Sequence, residues 1–458
     1  MSQISHNLLY QDKQLLEQTA LPIITVSAAF KEDLKGFYQR PESDQIQDVV
    51  FSRAHFSMAL AVAIAAWGKQ LDPKKAWLVD PTNHVSQQDW SSVQLTDFVG
   101  KTVARWPILK LVKDLIDKFA RSKLPILDSI APATKFLTSG IKQPILSFHI
   151  ATGNILAETG QPVLEMITDP HVRSDYLINA GKANMRFLVF DESTKQEFFT
   201  MAKKQNIQIP KDQLKDKVIV TGPPVDPRII ACGRAKTAWT STRPLRVLIS
   251  TGGLGTNKTE IKQLLQQLLP AIKNNQLSVP IELIYYAGTH ADHQQMAIRL
   301  AKKYHLGYRL LTSHDPAPFK KQGRWQQAKQ PSKKSNIKFG IIHHPQIMDA
   351  NELLIRHGFP WADVFITKPS GDMAYDAALS GAALLTLKEW GEWEHNVRQV
   401  FEQQQLAQVV DHDQIVQQLQ SLSQSGWISQ AMQHSQQLPV IFYQGVDNII
   451  KAAQNYSK

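Results

Sequence analysis

The sequence predicts an α/β chain of two doubly wound domains with parallel sheets. Three observations predict it. Strand-like apolar runs alternate with helix patterns from residue 46 onward, the rhythm of strands joined by crossover helices. The 458 residues are enough for two or three domains with sizeable cores. Glycine-rich turns follow two strands of the second half, where such sheets place their ligands.

The elements can be justified in order. Residues 1–44 carry no clear pattern and read as an N-terminal extension. The first domain is expected over 45–240. It opens with a strand at 46–51 and a helix at 56–67, which Gly68 is placed to end. Further strands are read at 76–79, 144–148, 163–167, 187–189 and 217–220. The stretch 226–244 lacks a pattern and reads as a crossing. The second domain is expected over 241–435, with strands at 247–250, 281–286, 339–343, 364–367 and 383–387. The tail, 436–458, fits one more helix at 440–453, placed to cross back.

Composition excludes several classes. Apolar residues at 43% and charged residues at 20% argue against a disordered chain. A single cysteine, Cys232, rules out an intrachain disulfide and a cysteine-rich zinc site, and fits a reducing compartment. The first residues lack the apolar core of a signal peptide, and no run reaches the roughly 20 apolar residues of a spanning helix.

The net charge of +11 points to acidic partners, and it is concentrated in two segments. Residues 101–123 carry a net +5 and residues 312–338 a net +6. The first has a helix pattern: Ile108, Leu111, Val112, Leu115, Ile116 and Phe119 share one face, with basic residues around the rest. It fits either a core-packing helix with a solvated basic face or a helix lying on an anionic bilayer, with Trp106 and Phe119 as anchors. The second is rich in Pro, Gln, Lys and Ser and reads as a long exposed loop.

Two turns carry the phosphate chemistry. Thr251, Gly252, Gly253, Gly255 and Thr256 follow a strand and lead into a helix, where glycines let the backbone approach an anion. The turn matches neither GxGxxG nor the Walker A pattern. Asn257 with Glu260 three residues on reads as a capping box. Ser370 and Gly371 form the second turn, and Asp376 on the following helix is placed to accept two ribose hydroxyls. Together they describe a nucleotide site at a topological switch point. His343 and His344 are chain neighbours that point apart, so a metal site there is not expected.

These residues resemble the C-terminal domain of the family-28 glycosyltransferases, which have the GT-B fold: two Rossmann-like domains facing across a cleft. The group includes monogalactosyldiacylglycerol synthases, processive diacylglycerol glucosyltransferases and the N-acetylglucosaminyltransferase that forms lipid II. Lys368, Ser370, Gly371, Asp376, Ala377, Gly381, Gly391 and Asn396 match its pattern. Glu392 and Trp393 replace its Gln-Glu pair, which touches the donor sugar. In the first half, the 168–171 segment and the 220–225 segment resemble the family's, and Arg228 stands near the place of a common arginine. His55 keeps the position of the family's histidine although the glycines before it are replaced by Ser52, Arg53 and Ala54.

The resemblance implies an inverting hexosyltransferase that uses a UDP-sugar and a lipid acceptor. His55 would be the base, kept neutral by the helix N-terminus. Asp169 and His171 would lie on the acceptor side. Thr251, Gly252, Gly253, Gly255, Thr256, Ser370, Gly371 and Arg228 would hold the nucleotide, with Asp376 on the ribose and Glu392, Trp393 and Asn396 near the sugar. No cofactor and no divalent ion would be required. The enzyme would be cytoplasmic and peripheral on an anionic membrane, without nucleic acid as a partner. A non-hydrolysing UDP-sugar 2-epimerase and a degenerate sugar- or lipid-binding protein are the alternatives.

Overall fold

A computed structural model describes residues 3–27, 53–68, 70–85, 125–312, 338–389 and 391–456. These fall into two compact units. Among the described residues, one runs to Asp226 and is rejoined at Gln444, and the other lies between Pro227 and Tyr443. The expected strand at 46–51, the basic 101–123 segment and all but the end residues of the 312–338 loop lie outside the described residues.

In the first unit, α1 (Gln3–Gln18), β1 (Pro22–Ile24), α2 (Arg53–Trp67) and β2 (Trp77–Val79) come first. Then follow α3 (Pro125–Thr138), β3 (Ile145–Ser147), α4 (Ile150–Glu158), β4 (Val163–Met166), β5 (Met185–Val189), α5 (Glu192–Lys204) and β6 (Val218–Val220). Its sheet has the order β2-β1-β3-β4-β5-β6, all parallel. The sheet winds outward from β1 to β2, then back across β1 to β3 and on.

The N-terminal stretch is therefore no separate extension. Ile23 and Ile24 are fully buried between β2 and β3, and α1 packs on α3 with Leu16 buried. A three-residue strand is too short to show alternation, so its sequence gives no periodic signal.

The second unit opens with α6 (Pro227–Ala235) and continues with β7 (Leu245–Ser250), α7 (Lys258–Lys273), β8 (Ile281–Gly288), α8 (Ala291–Lys303) and β9 (Arg309–Leu311). Next come β10 (Phe339–His343), α9 (Ile347–His357), β11 (Val364–Thr367), α10 (Met373–Leu379) and β12 (Ala383–Thr386). The unit closes with α11 (Glu392–Gln403), β13 (Ala407–Val409), α12 (Ile415–Gln424), α13 (Trp427–Gln436) and α14 (Val440–Tyr443). The sheet order is β13-β12-β11-β7-β8-β10-β9, again all parallel. Strands β7, β11 and β12 are almost wholly apolar and buried, as sheets covered on both faces require. The stretch read as a patternless crossing contains α6, whose Pro227 suits a first helical position.

The chain then returns. Helix α15 (Gly445–Tyr456) packs against α2 in the first unit. A Cβ on Gly445 would overlap the Pro223 carbonyl, so only glycine allows that approach. Helix α2 is buried nearly all round, and Gly68 ends it with φ of +78°. Among the described residues, no helix is long and apolar enough to cross a membrane.

Candidate functional site

In the second unit, the winding direction changes at β7, which has β8 on one side and β11 on the other. The loops after β7 and β11 therefore border one crevice at the carboxyl ends of the strands. Ser250 Oγ donates to Thr367 Oγ1 at 2.8 Å and ties the two strand ends together. A Cβ on Gly252 would stand 3.2 Å from Lys368 Cδ, so the loops touch. The first loop turns tightly: Gly255 N–H donates to Gly252 O at 2.9 Å, and Gly255 takes φ of +63°. Thr251 and Thr256 are buried at its ends, and Gly252 and Gly253 are half-buried.

The second turn is held by Ser370. Its hydroxyl donates to Asp372 Oδ1 at 2.7 Å and accepts from Met373 N–H at 3.3 Å, which caps α10. Gly371 and Asp376 are buried beside it. The third segment joins the same loop. Glu394 on α11 meets Lys368 Nζ at 2.5 Å, and the two side chains are only 4% and 8% exposed. A Cβ on Gly391 would overlap the Trp393 indole. Glu392 is exposed there, while Trp393 and Asn396 are half-buried.

Two expectations are corrected. Asn257 and Glu260 do not form a capping box. Asn257 adopts a left-handed conformation, φ +59°, which turns its amide toward Glu260 and the Lys388 carbonyl. Glu260 in turn accepts from Lys388 N–H and lies 2.9 Å from His412 Nε2, so it clamps the loop after β12. Arg228 is not turned to a ligand. It makes a bidentate pair with Glu352 at 2.9 and 2.7 Å, both side chains buried, and so fixes α6 to α9.

The first unit has its own switch point, between β1 and β3. His55 lies in the first turn of α2, half-buried. Its Nδ1 is 2.6 Å from Phe148 O, the carbonyl just after β3. A carbonyl only accepts, so Nδ1 carries the proton and Nε2 is the basic nitrogen of the neutral ring. His149 packs edge-on against His55 with centroids 4.8 Å apart, and its Nδ1 accepts Ala151 N–H at 3.1 Å as the cap of α4. Sequence reasoning did not single out His149; its place between a strand and a helix was the available signal.

Asp169 and His171 follow β4. His171 Nδ1 lies 2.9 Å from Glu197 Oε1, and Glu197 Oε2 also accepts Val172 N–H, so this pair binds the β4 loop to α5. Asp169 adds to the negative field that holds the Arg173 guanidinium cationic. Beneath α4, Glu165 is fully buried, and neither carboxyl oxygen has a hydrogen-bond partner. Burial pushes its pKa well above the usual carboxyl range. His343 and His344 close no metal cluster, and among the described residues there is none. No sequence pattern points to His290 and His293, which contact the glycine loop.

Similarity to known proteins fits the fold. Residues 227–377, about a third of the chain, match a family described as Domain of unknown function (DUF6938), beginning where the second unit begins. No curated protein matches the sequence. The UDP-GlcNAc 2-epimerase from Neisseria meningitidis, bound to UDP-GlcNAc, aligns over 95% of this chain and 99% of its own at 11% identity, TM-score 0.50. Os79 from O. sativa, in complex with UDP, aligns over 95% and 100% at 9% identity, TM-score 0.50. Acinetobacter baumannii MurG aligns over 95% and 99% at 12% identity, TM-score 0.45. The chain thus consists of two Rossmann-like domains of the GT-B type.

Proposed function

We propose that this protein is an inverting glycosyltransferase, related to family 28, that moves a hexose from a UDP-sugar to a lipid hydroxyl. One observation carries the reading: two glycine turns, after β7 and β11, meet at the switch point of the second unit with their strand ends tied by Ser250 and Thr367. Thr251 to Thr256 and the Ser370–Gly371 turn hold the diphosphate, Asp376 the ribose, and Glu392, Trp393 and Asn396 the sugar. Fixed backbone dipoles of the two turns meet the growing charge of the leaving group without a divalent ion.

His55 Nε2 takes the proton from the acceptor hydroxyl. The hydroxyl oxygen bonds to the anomeric carbon as the bond from that carbon to the phosphate oxygen breaks. UDP leaves, and the sugar inverts. Asp169 and His171 stand on the acceptor side. The lipid acceptor and a position at the cytoplasmic face of an anionic membrane are supported by the basic amphipathic 101–123 pattern.

Isothermal titration with UDP and UDP-sugars tests the donor site. Saturable binding of UDP is expected, and no binding of any of them would overturn the reading. Incubating a UDP-sugar alone and following it by NMR separates the nearest rival. Conversion at C2 without acceptor would assign a 2-epimerase, and binding without any turnover would leave a sugar-binding protein.

A further inference from the structure

Two histidines that the reaction does not use grip the glycine loop. His290 precedes α8, and its Nε2 lies 3.0 Å from Gly253 O. His293, one turn on and fully buried, has Nε2 3.2 Å from Gly255 O. Carbonyl oxygens only accept, so both Nε2 atoms carry protons. The other nitrogen of His293, Nδ1, is 2.5 Å from Tyr285 Oη. In a neutral ring already protonated at Nε2, Nδ1 must accept, and the tyrosine must donate. Tyr285 is fully buried on β8, and burial holds its phenol protonated. A one-way relay results, from Tyr285 O–H to His293 and from His293 N–H to Gly255 O.

The relay acts on the direction of peptide groups. No peptide bond is cis among the described residues, and a trans peptide points its N–H opposite its C=O. Drawing the Gly253 and Gly255 carbonyls toward His290 and His293, on the β8 flank, turns the amides of Leu254 and Thr256 away from it. The opposite flank of β7 is β11, with the Ser370 turn.

We propose that His290 and His293 are positioning residues of the donor site, and that Tyr285 sets the tautomer His293 needs. They fix a glycine loop in the form that presents amides to a nucleoside diphosphate, so the ordering cost is met before the ligand arrives. This inference rests on the reading of that loop as the diphosphate site.

The experiment uses the full chain, with UDP titrations on the wild type, His293→Leu, His293→Gln and Tyr285→Phe. The histidine tautomers are read by 15N NMR without ligand. His293→Leu is expected to weaken UDP binding about tenfold, the scale of one oriented hydrogen bond. His293→Gln keeps a donor for Gly255 O and an acceptor for Tyr285, and should restore affinity. Tyr285→Phe should let the His293 proton move to Nδ1, visible in the 15N spectrum, with weaker UDP binding. Folded His293→Leu binding UDP like the wild type would overturn the proposal. If that variant does not fold, unchanged affinity and an unchanged tautomer in Tyr285→Phe would overturn it instead. A wild-type His293 signal showing Nδ1–H would sink the relay alone. A wild type that binds no UDP would sink the donor site, and the positioning role with it.

Discussion

At His55 the proposed chemistry turns on which nitrogen holds the proton. The Phe148 carbonyl holds it on Nδ1, so removing the ring would remove the proposed base, while the donor turns belong to the other unit. His55→Ala should lower turnover by about two to four orders of magnitude, while calorimetric UDP binding stays as in the wild type. Glu165 is the other residue with a measurable signature. Its folded pKa is raised, chiefly by burial, so the folded state holds the proton more tightly than the unfolded one. The stability this group contributes is then greatest in acid and falls as pH rises above the usual carboxyl range of about 4.3 toward the raised value. Denaturant midpoints of the first unit should show that fall, and Glu165→Gln should flatten it. The place of His55 in the first turn of a helix was legible in the sequence, ahead of an alanine-leucine run. His149 and the unpartnered state of Glu165 were not, because both depend on what packs against them. Arg228 stood where a ligand-binding arginine would stand, and only the fold shows that Glu352 already holds it.

At the level of elements, buried parallel strands such as β7 and β11 were legible, since a sheet covered on both faces writes itself as a continuous apolar run. Among the three-residue strands, β2, β3 and β6 coincide with expected strands, while β1, β9 and β13 were not legible. β9 and β13 sit at the sheet edges with exposed residues, and β1 lies in a stretch that shows no period around it. The turns at 251–256 and 370–371 were read correctly as strand-to-helix connections; their mutual contact was not readable, because it depends on strand order. Asn257 shows the limit of pattern matching. The spacing of a capping box is present, and a left-handed backbone sends the side chain elsewhere. Packing at α15 gives a sharp test. Gly445→Ala forces a methyl into the Pro223 carbonyl and should cost about 1–3 kcal/mol, read as a lower denaturant midpoint with UDP affinity intact.

For the whole molecule, charge is the remaining lever. Two segments hold an excess equal to the entire +11. A nucleotide site built on backbone amides does not need that excess, so it is available for an anionic surface. Cosedimentation with anionic vesicles is expected, without binding to neutral ones, and the binding should weaken as salt shortens the screening length. Equal binding to both would return the charge to a role in solubility alone. Among the described residues, the second unit starts at Pro227 and the chain comes back to the first at Gln444. That return has a consequence in time. A ribosome makes the whole second unit before it makes α15, the helix that covers α2. During synthesis the first unit must wait, with the apolar flank of α2 open, until its partner emerges. Chaperones that shield nascent apolar surface would find their target there, and a stall anywhere in 227–443 would strand an unfinished first unit.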